Sequence, residues 1–384
     1  MTEQLKLKLN DSKATRWGAL VIVAFTMMAA YYVNDVVAPL KTMLETDLAW
    51  SSTDFGFFTG GYSFLNVFFL MLIWGGLILD RFGIRFTGKL ATILMVGGTA
   101  LEYYAMTGLA GADATLFGIN EIFGYKTGVF VAFAGYSIFG VGAEVAGITV
   151  SKIIAKWFKG KELATAMGVQ VALARIGSQA GYAVAIPLAR AFGISTPVLL
   201  GLVLLLGGMI AFFIFAVMDK KLDKQMEAAA IAAGTEDEEE KFSFKDVKNI
   251  LVNPGFWLIA LLCVLFYSCV FPFQKFASEL MIIKYGINEN VAGTFAGLPA
   301  LGALILTPVF GGFIDKRGKS ASIMLLGSAM LICVHFIYAI PDINYWLVAI
   351  VLMIILGIAF SLVPSAMWPA VAKIFPVSQL GTAH

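Results

Sequence analysis

Charge is what this sequence has least of. Of its 384 residues 59% are apolar and only 14% charged, where a soluble domain is about a quarter charged, and that shortfall excludes a soluble enzyme. Histidine is scarcer still, with only His335 and the terminal His384. The three cysteines, Cys263, Cys269 and Cys333, all lie in apolar runs, and an odd number at such spacings builds neither a disulfide framework nor a zinc site. A chain so poor in Cys and His lacks the equipment for metal hydrolysis or nucleophilic catalysis. No metal or other cofactor is expected, and the chain reads as a non-enzyme. A net charge of +2 carries no nucleic-acid signal.

What the sequence does have is hydrophobic length. Residues 1 to 16 are polar and lack a cleavable signal. Apolar runs long enough to cross a bilayer, about 20 residues each, follow at 17–40, 54–79, 88–110, 128–151, 163–189, 194–218, 255–284, 289–314, 320–340 and 344–369. Ten spans are therefore predicted. The Lys and Arg residues fix their direction: the N-terminus and the even-to-odd connections hold 21 of the 27, the opposite side only Lys41, Lys126, Arg190 and Lys284, and Arg175 and Lys275 fall inside spans. By the positive-inside rule both chain ends are cytoplasmic. Residues 219–250, with the acidic run 236–240, read as a charged cytoplasmic linker between a half over 1–218 and a half over 251–384.

The halves repeat. Gly76-x-x-x-Asp80-Arg81-x-Gly83-x-Arg85 ends the second span and Gly311-x-x-x-Asp315-Lys316-x-Gly318 the eighth, 235 residues apart. Ala155-Lys156-Trp-Phe158 and Leu163-Ala-Thr165-Ala166 recur as Ala372-Lys373-Ile-Phe375 and Leu380-Gly-Thr382-Ala383, every pair offset by 217. This is a parallel repeat of the secondary-transporter kind. The first half continues through two more spans after Ala166, whereas His384 follows Ala383 directly. The repeat thus expects an eleventh and a twelfth span beyond the last residue, and the chain reads as C-terminally truncated. Gly318-Lys319-Ser320 resembles the end of a phosphate-binding loop, but Phe313 stands where that motif needs Gly. A gradient is then the expected energy source.

The duplicated loop and the six-plus-six plan resemble the major facilitator superfamily. The fold expected is an all-α membrane protein of two parallel-repeat six-helix halves, with about ten of twelve helices present. Gly76, Asp80, Arg81, Gly83 and Arg85, with Asp315, Lys316 and Gly318, are its expected gating loops, where an acid at a helix end and nearby cations lock one side closed. Closer matches at 140–144 (Gly-Val-Gly-Ala-Glu), 157–163, 174–178 (Ala-Arg-Ile-Gly-Ser), 270–273, 308–319, 368–369 and 379–383 resemble the family typified by the lysosomal dipeptide uniporter. That resemblance implies a carrier of dipeptides. The only Asn-x-Ser/Thr site, Asn10-Asp-Ser12, lies on the cytoplasmic side, and no sorting signal is evident. A bacterial plasma membrane is expected, or a lysosomal membrane for a eukaryotic member.

An ionisable group inside the bilayer is by default a site. Glu144 and Arg175 lie at roughly 12 and 18 Å from the cytoplasmic side by helical rise, and match the acid and base of the dipeptide family's fourth and fifth spans. A guanidinium suits a C-terminal carboxylate and a carboxylate suits an ammonium; the alternative is a pair that merely neutralises itself in helix packing. Asp35, near the outer end of the first span, also matches the family and reads either as a vestibule acid or as an interfacial one. Tyr62, Asn66, Tyr267 and Trp368 are further substrate-site candidates, as is Gln274 more weakly. Glu144 and Glu102 are possible proton sites. Lys275 and Glu279 read as an i to i+4 pair and His335 as a core histidine. The expected partners are a small zwitterionic substrate, protons, and the bilayer, with no nucleic acid; a monomer is expected, and an accessory subunit stays open. The leading function is a dipeptide carrier working by alternating access. An organic-anion exchanger is the second reading and a non-transporting membrane sensor or scaffold the third.

Overall fold

The computed structural model describes residues 8–111, 114–233 and 252–374. The chain divides into two compact units, Met1–Thr235 and Glu236–His384. The first holds α1 (Lys13–Val36), α2 (Lys41–Asp47), α3 (Ser52–Phe68), α4 (Met71–Thr107), a hairpin of β1 (Glu121–Ile122) and β2 (Tyr125–Lys126), α5 (Thr127–Trp157), α6 (Leu163–Phe192) and α7 (Thr196–Ala233). The second holds α8 (Pro254–Ile283), α9 (Glu289–Ala296), α10 (Leu298–Arg317), α11 (Ser320–Ala339) and α12 (Trp346–Ile374).

The local sequence sets the helix ends. Ser51 caps α3 in a reciprocal box with Asp54. Asn253 caps α8 with Pro254 behind it at the first helical position. Gly318, at φ 75°, closes α10 in the left-handed conformation. Seven helical stretches among the described residues are long and apolar enough to span a bilayer, and the bent pair α3–α4 makes an eighth. All ten predicted spans overlie helix.

Three boundaries differ from the sequence reading. The predicted second span is broken at Phe69–Leu70, where Leu70 takes φ 51° and α3 and α4 bend by 58°. The expected loop after that span is shortened to a break at Gly83 (φ 74°, ψ 173°), where two helical segments of α4 meet with Asp80, Arg81 and Arg85 flanking the junction. That region of backbone space is open essentially to glycine alone. Finally, α7 continues to Ala233 rather than ending at 218, so the start of the expected linker is helix.

Within the first unit small residues let backbones touch. Gly98 of α4 and Gly135 of α5 each face the other's carbonyl. Gly177 and Gly181 of α6 abut the Met28 and Tyr32 carbonyls of α1, as a small-x-x-x-small spacing in a membrane helix favours. In the second unit Ile314, Ile323, Leu362 and Ala366 form a buried cluster joining α10, α11 and α12.

Candidate functional site

Two packing seams position the acid and the base. In Gly140-Val-Gly142-Ala-Glu144 the first glycine lets the α3 backbone at Tyr62 come against α5, and the second admits α4 at Ala91 and Met95. Glu144 lies four residues after Gly140 and so on the same face, toward α3. Tyr62 there donates its phenolic hydrogen to Glu144 Oε1 at 2.8 Å. In α6, Gly177 lets the helix approach the α1 backbone at Met28, and the Arg175 guanidinium comes to rest over the Tyr31 ring, 5.6 Å from its centroid. Tyr31 lies within electrostatic reach of Arg175, Glu144 and Asp35 alike. Tyr31, Tyr62, Glu144 and Arg175 are all half-buried.

Asp35 lies in the last turn of α1, so it caps no helix start. Its carboxylate accepts from Asn34 Nδ2 at 2.9 Å, and Tyr136 donates to the Asn34 carbonyl at 2.6 Å and to Asn34 Oδ1 at 3.1 Å. Glu102 of α4 is fully buried opposite Gly135, and its charge reaches Tyr136 as that of Asp35 does. The Tyr62 and Tyr136 rings lie 5.6 Å apart. Tyrosines thus join the neighbourhoods of Glu144, Glu102 and Asp35. Among the described residues Asn66 donates to the Tyr62 carbonyl one turn back, at 3.2 Å.

In the second unit Tyr267 stacks parallel on Phe271 at 5.1 Å with Phe360 edge-on at 6.4 Å, and Gln274 is buried. His335 Nε2 lies 2.9 Å from the Cys269 carbonyl; a carbonyl only accepts, so that nitrogen carries the hydrogen. Lys275 and Glu279 are both half-buried. The side chains of Trp368 and Asp315 lie outside the described residues, as does the repeat at 380–383.

The expected gating residues of the first unit pair internally. Asp80 accepts from Lys152 at 2.8 Å and Arg85 pairs with Asp223 at 2.6 Å, while the Arg81 guanidinium lies 5.5 Å from the centre of the Phe82 ring. Lys316 is in the last turn of α10. Asp219 and Asp223, absent from the sequence reading, bind Lys156 at 2.7 and 2.5 Å. Trp157 Nε1 donates to Asp219 at 3.0 Å, and the Asp219 side chain is fully buried. The signal was available as acids spaced i, i+4, which share a face only if the helix continues past 218.

The Major Facilitator Superfamily sequence profile matches residues 20–384. The chain belongs to the major facilitator superfamily. It is similar to the lysosomal dipeptide transporter MFSD1 of Homo sapiens, 28% identical over 385 residues, which cover 97% of this chain and 76% of that protein. The MFSD1 of Gallus gallus is 33% identical over 263 residues, covering 65% and 56% of the two chains. Among solved structures, a variant of the nucleoside transporter NupG superposes with a TM-score of 0.67 at 12% identity, over 95% of this chain and 85% of that one. The peptide transporter POT in complex with sulfate gives 0.62 at 14%, over 95% and 84%. At such identities these structures establish the fold alone. As a major facilitator the chain is a multi-pass membrane transporter of a small-molecule substrate.

Proposed function

We propose that the chain carries dipeptides or similarly small zwitterions by alternating access, with Glu144 receiving the ammonium group and Arg175 the carboxylate. The observation that carries this reading is the arrangement around Tyr31: an acid held by Tyr62 and a base held on an aromatic face, both in reach of one ring and both half-buried. A pair built only to neutralise itself gains little from burial. The name of the MFSD1 relatives supports the same substrate class. In this reading Asp35, Tyr62, Asn66, Tyr267 and Trp368 line the path, and Glu144 and Glu102 are the groups available to a coupling proton. The halves 1–218 and 251–384 rock about that path, joined by 219–250, while Gly76, Asp80, Arg81, Gly83, Arg85, Asp315, Lys316 and Gly318 form the gates. The 21 Lys and Arg on one side support cytoplasmic termini.

The test is uptake of a labelled Lys-containing dipeptide by proteoliposomes, with and without a pH gradient. Flux that disappears in Arg175→Ala and in Glu144→Gln is expected. A response to the gradient would separate proton coupling from uniport. Retained flux in Glu144→Gln together with competition by a dicarboxylate would replace this reading with carboxylate exchange, and binding without flux would favour a sensor.

A further inference from the structure

The hairpin between α4 and α5 is built from a short repeat, Leu116-Phe117-Gly118-Ile119 and Ile122-Phe123-Gly124-Tyr125. Each copy makes a two-residue turn: Leu116 bridges Ile119, and Ile122 pairs with Tyr125. Both central residues of each turn are left-handed, Phe117 at φ 53° with Gly118 at 79°, and Phe123 at 53° with Gly124 at 80°. Such turns ordinarily carry Asn-Gly or Asp-Gly, and a bulky side chain at positive φ is an outlier. The phenylalanine rings are nevertheless 96% and 88% exposed. The same unfavourable pairing of backbone and exposure thus occurs twice within ten residues.

The height of the hairpin above the helices selects an occupant. Ile119 and Asn120 offer their carbonyls to Thr127, the first residue of α5, at 2.8 and 2.9 Å. The Tyr125 ring stacks on Phe57 of α3 at 3.9 Å, and Phe123 lies 5.9 Å from Phe130. Phe117 is two residues from Ile119, a reach of about 7 Å of chain. The hairpin is therefore folded down on the ends of membrane-spanning helices. With 31 residues, α5 is about 46 Å long, as tall as a bilayer with its headgroups, whose polar layers are each roughly 5–8 Å thick. Its first residue thus stands at headgroup level, and the two rings extend the bilayer contact already made by the spans. Over 114–126 the only charges, Glu121 and Lys126, sit opposite each other in the ladder and offset one another.

We propose that this hairpin is a lipid-binding element, with Phe117 and Phe123 seated in the headgroup layer at the acyl boundary, the depth that aromatic rings of interfacial anchors occupy. It fixes the α4–α5 end against vertical displacement in the bilayer. The experiment labels Phe117→Cys and Phe123→Cys, each in a chain carrying Cys263→Ser, Cys269→Ser and Cys333→Ser, with a polarity-sensitive fluorophore in phosphatidylcholine vesicles. Blue-shifted emission, quenched by lipids with a nitroxide near the headgroup and resistant to aqueous iodide, is expected at both positions. Water-like emission quenched by iodide would overturn the proposal and leave the rings to a protein partner. If the labelled chains do not fold, hydroxyl-radical footprinting of the unaltered protein in the same vesicles decides: protection of both rings supports lipid contact, and oxidation at the rate of a free phenylalanine overturns it.

Discussion

Tyr62 donates to Glu144 at 2.8 Å across the α3–α5 seam, so the acid is oriented by a neighbour rather than held by its own helix. A hydrogen bond to a charged group contributes about 1.5–3 kcal/mol. Tyr62→Phe keeps the ring and removes the donor, and is expected to weaken dipeptide binding by roughly ten-fold or more. Competition assays check it with a free and an N-acetylated dipeptide. The acetylated ligand has no ammonium to place, so its affinity should hardly change; equal losses for both would show that Tyr62 does not act through Glu144.

Arg175 lies over the Tyr31 ring, 5.6 Å from its centroid, an arrangement that suits a guanidinium. Arg175→Lys keeps the charge and loses both the planar fork and its fit to a carboxylate. Affinity for a free dipeptide should fall at least about ten-fold, a loss of 1.4 kcal/mol or more. A C-terminally amidated dipeptide should bind the variant and the parent alike.

Gly83 and Gly76 lie two turns apart in α4 yet differ in conformation. Gly83 has φ 74° and Gly76 has open space around it. Gly83→Ala should cost about 1–3 kcal/mol, whereas Gly76→Ala in a regular turn should stabilise by roughly 0.5–1 kcal/mol. Thermal unfolding in detergent measures both, and similar melting temperatures would contradict the kink.

Asp219 is fully buried and Asp223 is 40% exposed, although both bind Lys156. Asp219→Asn weakens the bonds that the buried carboxylate makes to Lys156 and Trp157 and should cost about 1–3 kcal/mol. Asp223→Asn, screened by solvent, should cost no more than about 1 kcal/mol. The same melting assay ranks them.

The first turn of α1 and the segment before it are tied to the α5–α6 connection. Arg16 binds Glu162 at 2.7 Å and Lys161 binds Asp11 at 2.8 Å. The Arg16 hydrogen bond holds the Glu162 carboxyl below its ordinary range, and that of Lys161 does the same for Asp11. A carboxyl lowered in the folded state stabilises above its unfolded value and loses that contribution as the pH falls through the folded one. The protection factors of the amides of residues 9–12, intrinsic exchange rate over measured rate, should therefore be high at neutral pH and fall below about pH 4. Glu162→Gln should lower the neutral protection and flatten its pH dependence.

The helical segments were legible because apolar length in a chain this poor in charge admits little else. Glu144 and Arg175 stood out for the cost of ions at membrane depth. Tyr31 did not, because one aromatic among 44 Phe and Tyr residues carries no mark of which guanidinium it will face. The break at Leu70 was hidden inside an unbroken apolar run, where hydropathy has no contrast to register. Asp219 and Asp223 were read as linker for the opposite reason: charge density ends a hydropathy span without ending the helix. Local composition reports the solvent, and the helix is held there by Lys156, Arg85 and Trp157, which are distant in sequence.

The seam where Gly98 meets Gly135, and where Gly140 and Gly142 admit α3 and α4, has a mechanical consequence. Backbone meets backbone there without intervening rotamers, and rotamers are what let neighbouring helices slide by small adjustments. Those contacts are stiff: any displacement that separates them opens a void that no side chain can swing in to fill. A transport cycle then has to turn α3, α4 and α5 as one body and take its strain elsewhere.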